Sequence, residues 1–343
     1  MRALQLVEIG QPLEAREVPR PAFGPDDVLV KVRAAGVCHS DVHYCDGLSP
    51  VGSLPQTLGH EVAGEIEAVG ASVTAHAVGD RVAVHYLVTC GRCAYCRSSS
   101  EQFCREGRML GKDRDGGYAE YISVPAANAI RLPDSVPFEQ GAVAMCSSAT
   151  VFHALRKGRL KTGESVAVFG VGGLGMSAIQ LAKAFGALAV YAVDIDPDRL
   201  VMAETFGAIP VDASTSHPVT EILQATRERG VDVTLELIGL PDVMRQAVQS
   251  LAPYGRAVIV GLADRPLEID TYRELLGKEA EVIGCSDHLG AELPTLLEFV
   301  RRGTLDLSRV ITNTVPLEAV PVNEALDNLR QFGAGIRTVI VPC

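Results

Sequence analysis

From about residue 150 onward the chain alternates two hydrophobic textures. SVAVFG (165–170), AVYAVDI (189–195), DVTLELIG (232–239) and RAVIVGL (256–262) are short apolar runs with no polar face, the pattern of parallel strands covered on both sides. Between them LGMSAIQLAKAFG (174–186), DPDRLVMAETFG (196–207) and PDVMRQAVQSLAPYG (241–255) repeat their apolar residues at helical spacing. Alternation of this kind predicts a doubly wound α/β domain. IPV (209–211) and AEVIGCS (280–286) are expected to add strands. The first 130 or so residues read differently. DVLVKVRAAGV (27–37), EVAGEIEAVG (61–70) and DRVAVHYLV (80–88) are β-branched, partly alternating runs broken by Gly and Pro, which predicts a mostly-β domain. The tail carries two amphipathic helices, ELPTLLEFVRRG (292–303) and NEALDNLRQFG (323–333), and a strand, IRTVIVP (336–342). It is expected to return to the first domain.

Length supports two domains: 343 residues exceed what one core usually serves. The net charge of −11 comes with no basic stripe, which argues against nucleic acid as a partner. Glu8 and Glu14 interrupt the first residues, so no signal-peptide core is present there. No run approaches the roughly 20 apolar residues that span a membrane.

Candidate chemistry begins with CGRCAYCRSSSEQFC, which places Cys90, Cys93, Cys96 and Cys104 in one polar loop, four of the chain's nine cysteines. A disulfide pair is one reading. Two-residue spacings let successive thiolates turn toward one centre, which favours a tetrahedral Zn²⁺. Four sulfurs close the shell, so such a zinc is structural. A thiol-rich loop of this type suits a reducing compartment, and the expected location is the cytoplasm.

FGVGGLG follows a strand and opens a helix, setting Gly170, Gly172 and Gly175 in a G-x-G-x-x-G frame. Such a turn lets backbone approach a pyrophosphate, which then meets the helix N-terminus. Asp194 lies nineteen residues past Gly175, at the end of the second strand, where a carboxylate accepts ribose hydroxyls and repels a 2′-phosphate. NAD is therefore expected over NADP. Asp194 could instead cap the next helix, but Asp196, directly before Pro197, is the better cap candidate. Cys38, the pair His60-Glu61 and Cys146 are further candidate ligands; spacing alone leaves them equally readable as buried core residues.

GHEVAGEIEAVGASV (59–73) carries every specified position of G-H-E-x2-G-x5-G-x2-V, the zinc signature of the medium-chain dehydrogenase superfamily. GVCHSD, the cysteine quartet, DGGYAEY, VGGLG and AVIVGL also fall in that family's order. Over nearly its whole length the chain resembles a zinc-dependent alcohol dehydrogenase of the short bacterial and yeast-type branch. The resemblance implies a GroES-like catalytic domain (1–150 and 287–343) around a Rossmann NAD-binding domain (151–286). It implies that Cys38, His60 and Cys146 bind a catalytic zinc, with Glu61 an adjacent or exchanging ligand, giving two zinc ions per chain. Ser40 and His43 match the family's proton relay. His39 matches a cofactor-phosphate position that is often Arg, and Arg337 matches another. Thr150 and the Val260, Gly261, Leu262 backbone match segments lining the nicotinamide; Gly173, Leu174 and Arg199 complete the cofactor set. The implied reaction is reversible oxidation of primary or secondary alcohols to aldehydes or ketones, by hydride transfer from a zinc-bound alkoxide to NAD, in a dimeric or tetrameric homo-oligomer.

Two positions depart from the family. Ser148 stands where Gly is usual, and Cys45 where yeast-type enzymes carry a pocket Trp. The second predicts a roomier pocket that admits secondary, longer-chain or aromatic alcohols. A polyol or diol dehydrogenase of the same fold is the nearest alternative, but Cys146 and the intact quartet lean against it. A metal-free quinone reductase would lack Cys38 and the G-H-E motif. A non-catalytic nucleotide-binding zinc protein would have no use for Ser40 and His43.

Overall fold

The computed structural model describes residues 1–331 and 335–342. Phe332 and Gly333, at the end of the second expected tail helix, lie outside the described residues. The chain divides into two compact units, Met1–Cys146 with Leu289–Cys343, and Ser147–His288. Ser147–Thr150 and Asp287–His288 thus group with the second unit rather than the first.

The first unit is built on a seven-stranded sheet whose centre is the strand Asp27–Val37. On one side it pairs with Glu61–Val69 and on the other with the tail strand Arg337–Val341, both antiparallel. The tail therefore does return to the first unit. Register decides the site: Gly36 lies opposite Glu61, and Thr338 opposite Val37. Cys38, Glu61 and Arg337 are brought to one end of three adjacent strands. Alternating positions such as Val28, Val30, Ile66 and Val82 are buried in one core with Leu4, Leu110 and Tyr118. The expected strand 80–88 is two pieces, Arg81–Val84 and Leu87–Val88.

The second unit is a six-stranded parallel sheet in the spatial order 209–212, 189–194, 165–169, 231–236, 251–259, 281–284. Chain order reverses on either side of Ser165–Phe169, which makes its C-terminal end a switch point where ligands bind in such sheets. The expected helix 241–255 ends at Gln249, and Leu251–Ile259 is a strand. Pro253 and Gly255 are poor helix residues, and the run pairs in parallel with Val231–Glu236. Helices Ala149–Lys157 and Pro218–Ala225 were not anticipated from the pattern. No helix among the described residues is long and apolar enough to cross a membrane.

Candidate metal and nucleotide sites

The four loop cysteines converge: their sulfurs lie within 4.8 Å of one another. Cys93 and Cys96 Sγ are 3.5 Å apart, Cys90 and Cys96 Sγ 3.9 Å. Cys90 N–H donates to Cys104 Sγ and Cys93 N–H to Cys90 Sγ, each at 3.4 Å, the contacts a thiolate attracts. All four are free thiols, so the disulfide reading does not describe this loop. Four convergent sulfurs suit a closed zinc shell.

A second set gathers Cys38, His60, Glu61 and Cys146, all buried, with one donor atom from each within 4.8 Å of the others. Cys38 precedes the helix His39–Cys45; His60 directly precedes, and Glu61 opens, the strand Glu61–Val69; Cys146 sits in a single π-helical turn, Ala144–Ser148. Such turns recur at functional sites because they offset one side chain from the helical ladder. Ser148 is helical there, at φ −77°, so the missing glycine costs no strain. Gly36 makes room: a Cβ on it would fall 2.0 Å from Glu61 Oε2. That carboxylate pairs with the Arg337 guanidinium, itself only 5% exposed. Burial pushes the Glu61 carboxyl up to about 7 against the pull of Arg337. Glu61 Oε1 and Arg337 Nε are buried without hydrogen-bond partners among the described residues. A hydrogen bond from Cys146, with His60 nearby, holds the Cys38 thiol well below its ordinary value. Burial works against an imidazolium at His60, but Asp41 outweighs it and raises His60. Two thiols, one imidazole and a buried carboxylate with an unpartnered oxygen fit a zinc ion.

Asp41 was not singled out from sequence, yet it ties the set together. Its Oδ2 accepts Cys38 N–H at 3.0 Å, and its Oδ1 stands 3.4 Å from His60 Nδ1, longer than a well-formed hydrogen bond. With Nδ1 turned to Asp41, Nε2 is the nitrogen open to a metal. An acid three residues after Cys38, in the first turn of the helix His39–Cys45, was the available signal. Ser40 Oγ lies 3.8 Å from Cys38 Sγ. His43 shares its helix face at i+3, with its ring centroid 5.1 Å from that of His39. Cys45, expected to enlarge a pocket, is instead 2% exposed within the core of the first unit. Its small size is absorbed by packing, and burial pushes its thiol up to about 12.

In the second unit Gly170 adopts φ +91°, and a Cβ on Gly175 would fall 2.2 Å from Gly170 O. Gly172 is the N-cap of the helix Gly173–Ala184, and a Cβ on it would meet nothing within 4 Å. The N–H groups of Gly173 and Leu174 fall in the first turn, where the helix ladder supplies no acceptor, and the Cβ direction of Gly172 beside them faces open space. Asp194 Oδ2 accepts Val171 N–H at 2.8 Å, and Oδ1 accepts Ile195 and Asp196 N–H at 2.8 and 3.1 Å. Asp196 is the helix cap and pairs with Arg199. Thr150 is half-buried at the start of its helix, and Leu262 is exposed. Glu236, missed from sequence, organises the switch-point loops. Its carbonyl accepts Val260 and Gly261 N–H at 3.0 and 3.1 Å, and its Oε1 accepts Ile238 and Gly239 N–H at 2.9 and 2.8 Å.

Comparison with known proteins matches both units. The family "Alcohol dehydrogenase GroES-like domain" matches residues 24–134, and "Zinc-binding dehydrogenase" residues 173–302. An NAD-dependent alcohol dehydrogenase of Sulfurisphaera tokodaii is 37% identical, covering 100% of both chains. Among solved structures, the alcohol dehydrogenase of Thermus sp. ATN1 superposes with a TM-score of 0.91 at 31% identity, covering 100% of both chains. A zinc-binding dehydrogenase of Sinorhizobium meliloti, bound to NADP, reaches 0.92 at 30% identity, covering 99% of each. The β-rich unit is thus a GroES-like domain and the parallel unit a Rossmann domain, and the chain belongs to the zinc-dependent medium-chain alcohol dehydrogenase family.

Proposed function

We propose that this chain is an NAD-dependent alcohol dehydrogenase with two zinc ions, interconverting primary or secondary alcohols and the matching aldehydes or ketones. The buried set of Cys38, His60, Glu61 and Cys146 carries the reading: with Glu61 held back by Arg337 as an exchanging ligand, the other three donors leave a fourth place for a substrate oxygen. Zinc bound there supplies Lewis acidity to that oxygen, and NAD supplies the hydride chemistry.

The chain's own groups do the rest. Asp41 orients His60 through Nδ1. Arg337 pairs with Glu61, which keeps that carboxylate from adding a third negative donor and leaves it as a reserve ligand. Ser40 Oγ receives the proton of the substrate hydroxyl, and His43 passes it to water. The 170–175 turn and the N–H groups of Gly173 and Leu174 receive the pyrophosphate, while Asp194 takes the ribose and disfavours a 2′-phosphate. Cys90, Cys93, Cys96 and Cys104 hold the second, structural zinc. The free thiols of the described chain suit a cytoplasmic location. The exposed outer strand Glu281–Gly284 of the Rossmann sheet supports assembly as a homo-oligomer.

Zinc analysis of the purified protein, with a panel of alcohols and aldehydes assayed against NAD and NADP, tests this directly. Two zinc ions per chain and NAD-linked turnover are expected. One zinc per chain, or binding of NAD without turnover of any alcohol or carbonyl, would return the chain to a non-catalytic role.

A further inference from the structure

Tyr118 connects the residues before His60 to the carboxylate that orients it. The side chain is fully buried. Tyr118 N–H donates to Leu58 O at 2.9 Å and Gly117 N–H to Gly59 O at 2.7 Å, so this segment runs beside the residues that lead into His60. The ring packs where a side chain on Gly59 would otherwise stand: Gly59 has φ +92°, and a Cβ there would fall 2.3 Å from Tyr118 Cδ1. The hydroxyl donates to Asp41 Oδ2 at 2.8 Å; its approach to Gly36 O, at 3.4 Å, is much weaker. Asp41 Oδ2 also accepts Cys38 N–H at 3.0 Å. With two donors on one oxygen, the carboxylate cannot turn without losing both, and its Oδ1 stays directed at His60 Nδ1, 3.4 Å away. Asp41 is itself 0% exposed, so no water takes over if a donor is removed.

We infer that Tyr118 is a positioning residue for the catalytic metal set, its hydroxyl locking Asp41 in the orientation that aligns His60 and Cys38 for metal. The inference rests on the metal reading of Cys38, His60 and Cys146. Tyr118→Phe isolates it, because the ring keeps its place against Gly59 and only the O–H is lost.

The test is zinc release to a colorimetric chelator from wild type, Tyr118→Phe, Asp41→Asn and the double variant. It is joined by the visible spectrum after cobalt replaces zinc at the Cys38 set. Groups that orient metal ligands typically change affinity 10–100-fold, so release from this site should quicken about tenfold in Tyr118→Phe. The cobalt bands should shift, while release from the cysteine quartet stays unchanged. Adding Tyr118→Phe to Asp41→Asn should have little further effect, because both act through one carboxylate. The metal-free variants should melt only a few degrees lower, as the loss of one buried hydrogen bond requires, and stay folded at the assay temperature, which separates positioning from folding. A Tyr118→Phe protein with wild-type release and cobalt spectrum, or two fully additive substitutions, overturns the inference alone. A wild-type protein that holds no metal at the Cys38 set overturns both this inference and the reading beneath it.

Discussion

Replacing Asp194 by Asn tests cofactor choice by exchanging one carboxylate oxygen for an NH₂ group. The carboxylate accepts three backbone N–H groups, one on Oδ2 and two on Oδ1. A carboxylate offers about four acceptor sites, so one remains on Oδ2 for a ribose hydroxyl. Asparagine keeps a single oxygen. If that oxygen serves Ile195 and Asp196, the amide NH₂ faces Val171 N–H, donor against donor. The lost acceptor at Val171 should cost about 1–3 kcal/mol of stability, or a few degrees of melting temperature. One charge-assisted bond to the ribose is worth about 1.5–3 kcal/mol, so NAD should bind about ten- to a hundredfold more weakly. NADP should lose less or gain, because the negative charge facing its 2′-phosphate is gone. Calorimetric titration of both cofactors into both proteins, well below the lower melting temperature, reads these effects separately. NAD affinity within about threefold of wild type, or a wild type that binds NADP as tightly as NAD, would refute the role of Asp194.

Three further outcomes follow from the catalytic unit. Arg337→Ala strands the buried Glu61 carboxylate without its cation and should cost about 3–5 kcal/mol in denaturant melts; a loss below about 1 kcal/mol would show the pair to be inconsequential. Burial pushes the His85 imidazole down to about 4, only partly offset by Glu101. Its folded value lies below the unfolded one near 6.5, so protonation favours unfolding. Its contribution is complete above about pH 6.5 and falls away toward pH 4, by about 3 kcal/mol at the end. His85→Gln should flatten the stability profile across that window, and an unchanged slope would refute the assignment. His43→Gln should retain both zinc ions and slow alcohol oxidation about tenfold, with partial recovery in imidazole buffer; absence of rescue would make His43 a packing residue.

Features encoded over a few residues were legible in advance. The quartet spacing needs only one loop, and its sulfurs converge as the spacing required. The glycine turn between strand and helix, and the Asp196 cap before Pro197, are likewise local events. Boundaries were weaker where two local tendencies compete. Residues 251–255 continue a helical pattern in sequence, but parallel pairing with Val231–Glu236 recruits them into a strand. The reading of Cys45 as a pocket residue failed for a related reason, since nothing in the sequence tells an inward-facing cysteine from one lining a cavity.

By itself the sequence determined the strand–helix alternation, the glycine-rich turn and the quartet, because each depends on backbone conformation within one or two turns of chain. Family resemblance nominated Cys38, His60 and Cys146, but only the tertiary structure brought them together with their supports. Arg337 reaches Glu61 across 276 positions because the tail strand joins the sheet in the register that sets Thr338 opposite Val37. Tyr118 reaches Asp41 across 77 positions because its segment pairs with the residues before His60. Such partners leave no periodic trace in the sequence. Side chains meet across a sheet according to strand order and register, and those are chosen by burial of the whole core rather than by any one segment.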